Sequence, residues 1–299
     1  MNYIFHLLIY FGVYAVLAMG LNLVVGFCGL LTLAHAGYFA VGAYTYALGT
    51  LAWGMDSLSA LLLAFCAGGV LSLLTSLPTW RLKGDYFVMA SMAVQVLIYS
   101  TAYNWVRSDA PLGSLTNLTN GPFGIAGISR PVIFGFKLSS LGAMAVFSLT
   151  VAAVCMGICH LLQTAPWGRT LKCMRDDELA AKNLGKNVQL LKVQALFVAC
   201  ALAAVAGAVY AGYTSYIDPS LASMDQSILL LSMIFVGGMG NLKGPLVGAA
   251  ILLLIPELLR FMNIPDAVAA EIRVMLYGLM LVLIVRFMPE GAAGEYRVN

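Results

Sequence analysis

Residues 1–53, MNYIFHLLIYFGVYAVLAMGLNLVVGFCGLLTLAHAGYFAVGAYTYALGTLAW, contain no Asp, Glu, Lys or Arg, and the first of these charged residues is Asp56. A soluble domain carries about a quarter charged residues, so this stretch is not typical of one. Charged side chains are costly in hydrocarbon, whereas Leu, Val, Ala and Phe enter it favourably. The stretch therefore predicts that the chain begins inside a lipid bilayer.

The same composition continues to the end of the chain, with 61% apolar and 10% charged residues and a mean hydropathy of +0.91. The apolar runs are long and continuous, unlike the short alternating segments of a membrane barrel. We predict an all-α polytopic transmembrane bundle of about 8–10 spans, forming one domain over 1–299, with a retained first helix rather than a cleaved signal peptide. The predicted spans are 3–25, 31–53, 58–80, 86–106, 138–163, 193–216, 226–240, 245–262 and 271–288.

Basic residues predict the orientation, because Lys and Arg concentrate in cytoplasmic loops. If the basic loop 164–192 is cytoplasmic, that side carries 11 of the 16 Lys and Arg residues and the other side carries 5. The long loop 107–137 then faces outward. Nine spans place the N-terminus outside, whereas one more crossing in the first 55 residues or in 107–137 would place it inside.

Glycine interrupts the apolar pattern in two related places. The first break is GFCGLLTLAHAG at 26–37, and the second break is GGMGNLKGPLVG at 237–248. Broken helices at membrane depth are buried in protein or line a wet path, and such pairs in two halves of a chain indicate a weak internal repeat and a translocation route. Close helix packing through small residues is the alternative interpretation. The candidate residues of the route are Gly26, His35, Gly37, Gly238 and Gly240.

Isolated polar residues within the spans have ordinary structural explanations. An intramembrane His such as His35 is a functional candidate, but a hydrogen-bonded structural role is the alternative. Glu257 and Arg260 are spaced for a local ion pair. The six cysteines form no CxxC motif and have no completing His, so we predict packed thiols and no metal site.

The basic loop 164–192 contains a short helix pattern. Asp176 and Asp177 suit a helix N-terminus, and Glu178 and Lys182 have the favourable i,i+4 order. Gly185 is a natural stop. Ala180, Ala181 and Leu184 would form a small apolar face. The pattern predicts a capped amphipathic helix that a partner groove could bind, with a plain solvated loop as the alternative.

The segment ELAAKNLG at 178–185 resembles the EAA coupling motif of ABC importer permeases, with its glutamate one residue earlier than in the strict pattern. This variant resembles the branched-chain amino acid permease family, specifically its LivM-type subunit. One position differs from the family: Asn120 stands where the family commonly has a second glycine, directly before Gly121. Five further stretches agree in order: GLNLVVG at 20–26, LAHAGYF at 33–39, RLKGDYF at 81–87, LTNGPFGI at 118–125 and GGMGNLKGP at 237–245.

The resemblance implies one permease subunit of a five-part importer in the bacterial cytoplasmic (inner) membrane. Its partners would be a second, homologous permease of LivH type, two ATP-binding cassette subunits and an extracytoplasmic solute-binding protein, with no nucleic acid. The cytoplasmic coupling residues implied by the motif are Asp176, Asp177, Glu178, Ala180, Ala181 and Gly185. The chain itself would need no cofactor, and it lacks a GxxxxGK[ST] phosphate loop.

Three other functions stay open at this point. Related permeases carry amides or urea instead of branched-chain amino acids. An ion-coupled secondary carrier needs an intramembrane proton acceptor, for which His35, Glu257, His160 and Asp85 are the candidates. An intramembrane enzyme is the third, but the sequence contains neither HExxH nor GxSxG, and Ser72, Ser91 and Ser232 have no nearby base.

Overall fold

Helices make up most of the computed structural model of the protein. The structure describes residues 2–82, 84–107, 109–114, 116–133 and 136–261, together with residues 272, 275, 276, 278, 279, 282, 283 and 286. The α-helices are α1 Asn2–Asn22, α2 His35–Leu51, α3 Ser57–Leu71, α4 Leu73–Ser76, α5 Asp85–Asn104, α6 Leu141–Thr164, α7 Pro166–Asp176, α8 Glu178–Asn183, α9 Val188–Thr214, α10 Met224–Gly237 and α11 Lys243–Phe261. A π-helical turn spans Leu23–Phe27, and 3₁₀ turns span Leu77–Trp80, Gly121–Phe123 and Pro219–Ala222. The strands are β1 Ile125–Ala126, β2 Val132–Ile133, β3 Phe136–Lys137 and β4 Tyr216–Ile217.

Within the residues that the structure describes, five helical segments are long and apolar enough to cross a membrane: Tyr3–Phe27, Ser57–Trp80, Asp85–Asn104, Leu141–Thr164 and Val188–Thr214. Met224–Gly237 and Lys243–Ile255 are shorter apolar helices. The prediction of an all-α polytopic membrane protein is confirmed. The predicted span 31–53 is shorter in the structure, because α2 begins only at His35. The predicted span 271–288 falls mostly outside the described residues, as do the side chains of Glu257 and Arg260.

Helices α1 and α9 form the centre of the bundle, and both are buried over most of their length. Helices α3, α5 and α6 lie outside them and expose apolar side chains such as Leu62, Val96 and Leu161. Helix α2 crosses α9 closely, because a β-carbon at Gly207 would collide with the Phe39 carbonyl. Glycine at this crossing lets the two backbones approach, as is common between membrane helices.

The two long loops lie at opposite ends of the bundle. At one end, Leu82 packs against a small core of Leu171, Met174, Ala181 and Val188. At the other end, β1 of the loop 107–137 pairs with β4, which follows α9, in the register Ile125↔Ile217. Helix α9 joins these ends over 27 residues, or about 40 Å. The two loops therefore lie at opposite ends of the bundle, and residues 81–82 lie at the end of 164–192, whereas the cytoplasmic position of 164–192 and the outward position of 107–137 stay a prediction.

Candidate functional site

The first break is a buried region of irregular backbone. Helix α1 widens into the π-helical turn Leu23–Phe27, all five residues of which are buried, and the chain does not become α-helical again before His35. Gly29 has φ +72°, a conformation that favours glycine. Neighbouring helices satisfy the open backbone: the Leu33 N–H donates to Ser91 Oγ at 3.0 Å, and Ser227 Oγ donates to the Leu33 carbonyl at 2.6 Å. Such satisfaction is what irregular backbone requires at membrane depth.

The second break separates α10 from α11. Gly238 and Gly240 have φ values of +99° and +90°, which side-chain-bearing residues rarely adopt. The Gly244 N–H donates to Asn241 Oδ1 at 2.7 Å, so the break ends with a side chain bound at the start of α11. The glycines at these two positions therefore serve a turn that ends one apolar helix and begins the next.

The two breaks are in direct contact. Asn22, which is fully buried at the end of α1, donates from Nδ2 to the Asn241 carbonyl at 2.8 Å and accepts from the Gly240 N–H at 3.3 Å. A β-carbon at Gly26 would collide with the Asn22 side chain and lie 2.8 Å from Gly240 N. The prediction that the breaks lie together is confirmed. Sequence reasoning missed Asn22 as their link, although an amide in an otherwise apolar run was a signal.

A second buried amide holds the beginning of α2. The Gly37 N–H donates to Gln95 Oε1 at 2.7 Å, and Gln95 Nε2 donates to the Ala222 carbonyl at 2.6 Å. Gln95 is 1% exposed and lies on α5, so it joins α5 to α2 and to the 3₁₀ turn before α10. Sequence reasoning did not select Gln95, although it too is an amide in an apolar span.

His35 lies in the interior of the chain rather than at an open surface. It is 1% exposed, and its ring lies beside Gly20 of α1, which is in turn close to the Ala199 carbonyl of α9. The ring faces the backbone of Leu17, but within the described residues neither ring nitrogen has a partner in hydrogen-bond geometry. The expectation of a hydrogen-bonded structural histidine therefore finds no such bond among the described residues.

The loop 164–192 forms two short helices. Asp177 caps α8, since its Oδ1 accepts from the N–H groups of Leu179 and Ala180, both at 2.9 Å. Gly185 follows α8 with φ +77°. The predicted capped helix is confirmed at both ends. The prediction was wrong for Asp176, which ends α7 and pairs with Arg175 at 2.9 Å, because the chain leaves helical geometry at Asp177.

Glu178 is held by a residue from outside its own helix. Its Oε2 lies 2.9 Å from Nζ of Lys192 on α9, and the Lys192 side chain is 6% exposed. The sequence pointed to Lys182, which is four residues away, whereas the turn after Gly185 brings α9 back beside α8. The ion pair attaches α8 to a central membrane helix.

The predicted apolar face of α8 points in two directions. Ala181 is buried against Leu171 and Val188. Ala180 is exposed, and Leu179 and Leu184 are 68% and 78% exposed. The prediction of one face was thus wrong in its geometry, because Ala181 lies on the side that packs on the bundle. The exposed part of α8 thus carries Leu179, Ala180 and Leu184 together with the polar Lys182 and Asn183.

The described part of the chain gathers no group of three His, Cys, Asp or Glu side chains that could hold a metal ion. Among the described residues, the region contains buried hydrogen bonds around the two breaks and two ion pairs, Arg175–Asp176 and Glu178–Lys192.

The chain is similar to known proteins over nearly its whole length. The family described as "Branched-chain amino acid transport system / permease component" matches residues 3–285. The high-affinity branched-chain amino acid transport system permease protein LivM of Salmonella typhimurium is 28% identical over 302 residues, covering 93% of this chain and 67% of that protein. The probable LivM permease of Methanocaldococcus jannaschii is 25% identical, covering 97% and 92%.

A second group of relatives is more distant. The LivH permease protein of Salmonella typhimurium is 21% identical over 303 residues, covering 96% of this chain and 92% of that protein. No solved structure matches the chain. Because the family match covers nearly the whole sequence, this multi-pass membrane protein belongs to the family of permease components of branched-chain amino acid transport systems.

Proposed function

We propose that this chain is one permease subunit of an ATP-driven importer for branched-chain amino acids in the bacterial cytoplasmic membrane. The observation that carries the proposal is α8: it is capped by Asp177, attached to α9 through Glu178 and Lys192, and exposes Leu179 and Leu184. A helix held firmly on one side, with exposed apolar side chains next to the polar Lys182 and Asn183, suits a groove in a cytoplasmic ATPase. The coupling residues are then Asp177, Glu178, Ala180, Ala181 and Gly185, with Asp176 acting through α7.

The remaining parts of the machine follow from the relatives. LivM and LivH proteins both match this chain over most of its length, which supports a homologous LivH-type permease as its partner. Two ATPase subunits and an extracytoplasmic solute-binding protein complete the assembly. Residues 1–299 form one permease domain within it, and the loop 164–192 is cytoplasmic.

Branched-chain amino acids are the solutes that we favour. The relatives' names specify them, and nearly uncharged spans suit a zwitterion or a neutral solute. Competition tests this assignment: unlabelled leucine, isoleucine and valine should block uptake of labelled leucine, whereas urea and short amides should not. If urea or an amide blocks uptake at similar concentrations, the solute class is urea or amides instead of branched-chain amino acids.

Co-purification tests the assembly. The chain is expressed with its neighbouring genes, and the ATPase subunits should be retained through purification. Leu179→Ser with Leu184→Ser should release them, because the two leucines supply the exposed apolar contact. Arg169→Ser is the matched control, since Arg169 is exposed on the adjacent α7. A complex that forms equally well with the double variant would remove α8 as the docking helix.

A secondary carrier is the rival function, and one observation favours it. His35 is 1% exposed, and a buried ionisable side chain within a membrane bundle is a candidate proton acceptor. Replacing His35 with Gln separates the two functions. An ATP-driven importer needs no proton relay, so it should keep its dependence on ATP, whereas a proton-coupled carrier should lose uptake driven by a pH gradient.

A further inference from the structure

Arg175 connects the cytoplasmic loop to the first break. It lies near the end of α7, and its side chain is 11% exposed. Nη1 donates to the Gly26 carbonyl at 2.6 Å, while Nε and Nη2 donate to Asp176 Oδ1 at 3.0 and 2.9 Å. The guanidinium fork is thus divided between its own helix and the π-helical turn. We name the contact between Arg175 and Gly26 the Arg175 bridge.

The end of the α1 helix has a physical need for this cation. Gly26 lies in the last turn before the chain leaves helical geometry, where carbonyl groups have no partner within the helix. The same end carries the negative pole of the helix dipole, which a cation stabilises. Lys172 adds a second positive charge, with its Nζ 5.1 Å from the centre of the Phe27 ring.

Gly29 gives Arg175 the space that it needs. A β-carbon at Gly29 would lie 2.8 Å from Arg175 Cγ, closer than van der Waals contact allows. The guanidinium-bearing chain therefore packs directly on the backbone of the first break. Both the polar head and the apolar stem of Arg175 thus contact residues of that break.

The connection continues into the second break. Gly26 has no room for a side chain beside Gly240, and Asn22 binds both Gly240 and Asn241. A displacement of α7 would therefore act first on the Gly26 carbonyl and then on the pair of breaks. Such a contiguous series of packed and hydrogen-bonded groups is a physical basis for coupling between distant sites.

We propose that Arg175 is a positioning residue that transmits movement of α7 and α8 to the two breaks. The proposal rests on the proposed function, because α7 moves when the ATPase subunits close. In this arrangement α8 and the membrane helices that border the two breaks move together. Without the bridge, ATPase subunits bind and hydrolyse ATP, but the breaks do not follow.

Transport by the assembled complex is the first half of the test. Arg175→Gln and Arg175→Lys are compared with Arg169→Gln, which removes an exposed charge from the same helix. In Arg175→Gln the ATPase subunits should be retained, and solute imported per ATP hydrolysed should fall roughly 2- to 30-fold, the range expected when one residue of a coupling network is removed. Arg175→Lys should lie in between, since a lysine keeps the charge without the fork. Arg169→Gln should match the wild type.

Hydrogen exchange of backbone amides is the second half, and it needs no transport. Residues 23–29 should exchange faster in Arg175→Gln than in the wild type and in Arg169→Gln. Unchanged exchange overturns the Arg175 bridge. Faster exchange with an unchanged import ratio overturns the transmitting role of Arg175, which would then be purely structural. A wild-type complex that transports without ATP overturns the proposed function, whereas the exchange comparison still tests the contact itself.

Discussion

The side-chain amide of Asn22 donates to the backbone carbonyl of Asn241 at 2.8 Å, across 219 residues of sequence. The contact makes one buried unit of two interruptions that lie far apart along the chain. In a bilayer each interruption leaves backbone groups that water cannot reach, and a lone break would be costly. Placed together, the breaks satisfy part of each other's hydrogen bonding through one side chain.

Replacing Asn22 with Leu should destabilise the protein. The change leaves the Gly240 N–H and the Asn241 carbonyl without the Asn22 side chain, and a buried group that loses its partner costs about 1–3 kcal/mol. Thermal unfolding in detergent should show a lower midpoint, and uptake should fall with it. The control is Asn104→Leu, at an exposed amide whose bond stays within α5. An unchanged midpoint for Asn22→Leu would show that the contact is not needed.

Bulky residues at the breaks should reduce uptake. In Gly37→Val the new side chain would meet Gln95 Oε1 and Ile98 Cδ1, which lie 2.8 and 2.9 Å from a β-carbon at that site. In Gly238→Val a branched residue would have to adopt φ +99°. If the breaks line the route, uptake falls while solute-stimulated ATPase activity survives, and if they brace the subunit, both are lost together with assembly.

Gly157→Val is the matched control for these variants, because nothing lies within 4 Å of a β-carbon at Gly157. It should transport normally. Normal transport by both Gly37→Val and Gly238→Val would mean that the glycines are incidental to the function.

Reversing the charge of Glu178 should uncouple the subunit, and a second reversal should restore it. Glu178→Lys places two lysines together at a site where the Lys192 side chain is 6% exposed, and an unpaired buried charge is strongly destabilising. We expect at least about a tenfold loss of ATP-dependent uptake, equivalent to about 1.4 kcal/mol. Glu178→Lys with Lys192→Glu should recover much of it. Failure of that pair to recover would show that contacts of Glu178 with a partner subunit dominate.

Thiol labelling should establish the orientation of the chain. Cysteines are placed at Thr116 in the loop 107–137 and at Gln189 at the start of α9, which are both exposed, in a background without native cysteines. An impermeant thiol reagent added to whole cells should label position 116 and spare position 189. The reverse labelling pattern would show that the orientation is the opposite of the predicted one. Disrupted cells provide the control, because both sites should react there.

Local chemistry explains which features could be predicted from the sequence. Membrane insertion could be predicted from the composition of the charge-free stretch 1–53. The capping of α8 by Asp177 could be predicted because an N-cap depends on a few adjacent residues. The meeting of the two breaks was predictable in outline, since each break needs burial. These features depend on composition or on neighbours in sequence.

Tertiary contacts explain what the sequence left undetermined. Glu178 binds Lys192, which is 14 residues away, although Lys182 has the favoured helical spacing. Gln95 binds the backbone of Gly37 and Ala222, and no local pattern specifies which backbone groups a buried amide will meet. Ala181 turns inward because α9 folds back beside α8. Ala181 is therefore separated from Ala180 and Leu184, with which it was predicted to form one apolar face.

ATP-driven uptake by the complete assembly is the most direct test of the central claim. The chain, its permease partner and the ATPase subunits are reconstituted in vesicles, and labelled leucine is supplied with the solute-binding protein. We expect uptake that requires both ATP and the binding protein and that persists with an uncoupler. Uptake by this chain alone, abolished by the uncoupler and indifferent to ATP, would contradict the account and establish a secondary carrier instead.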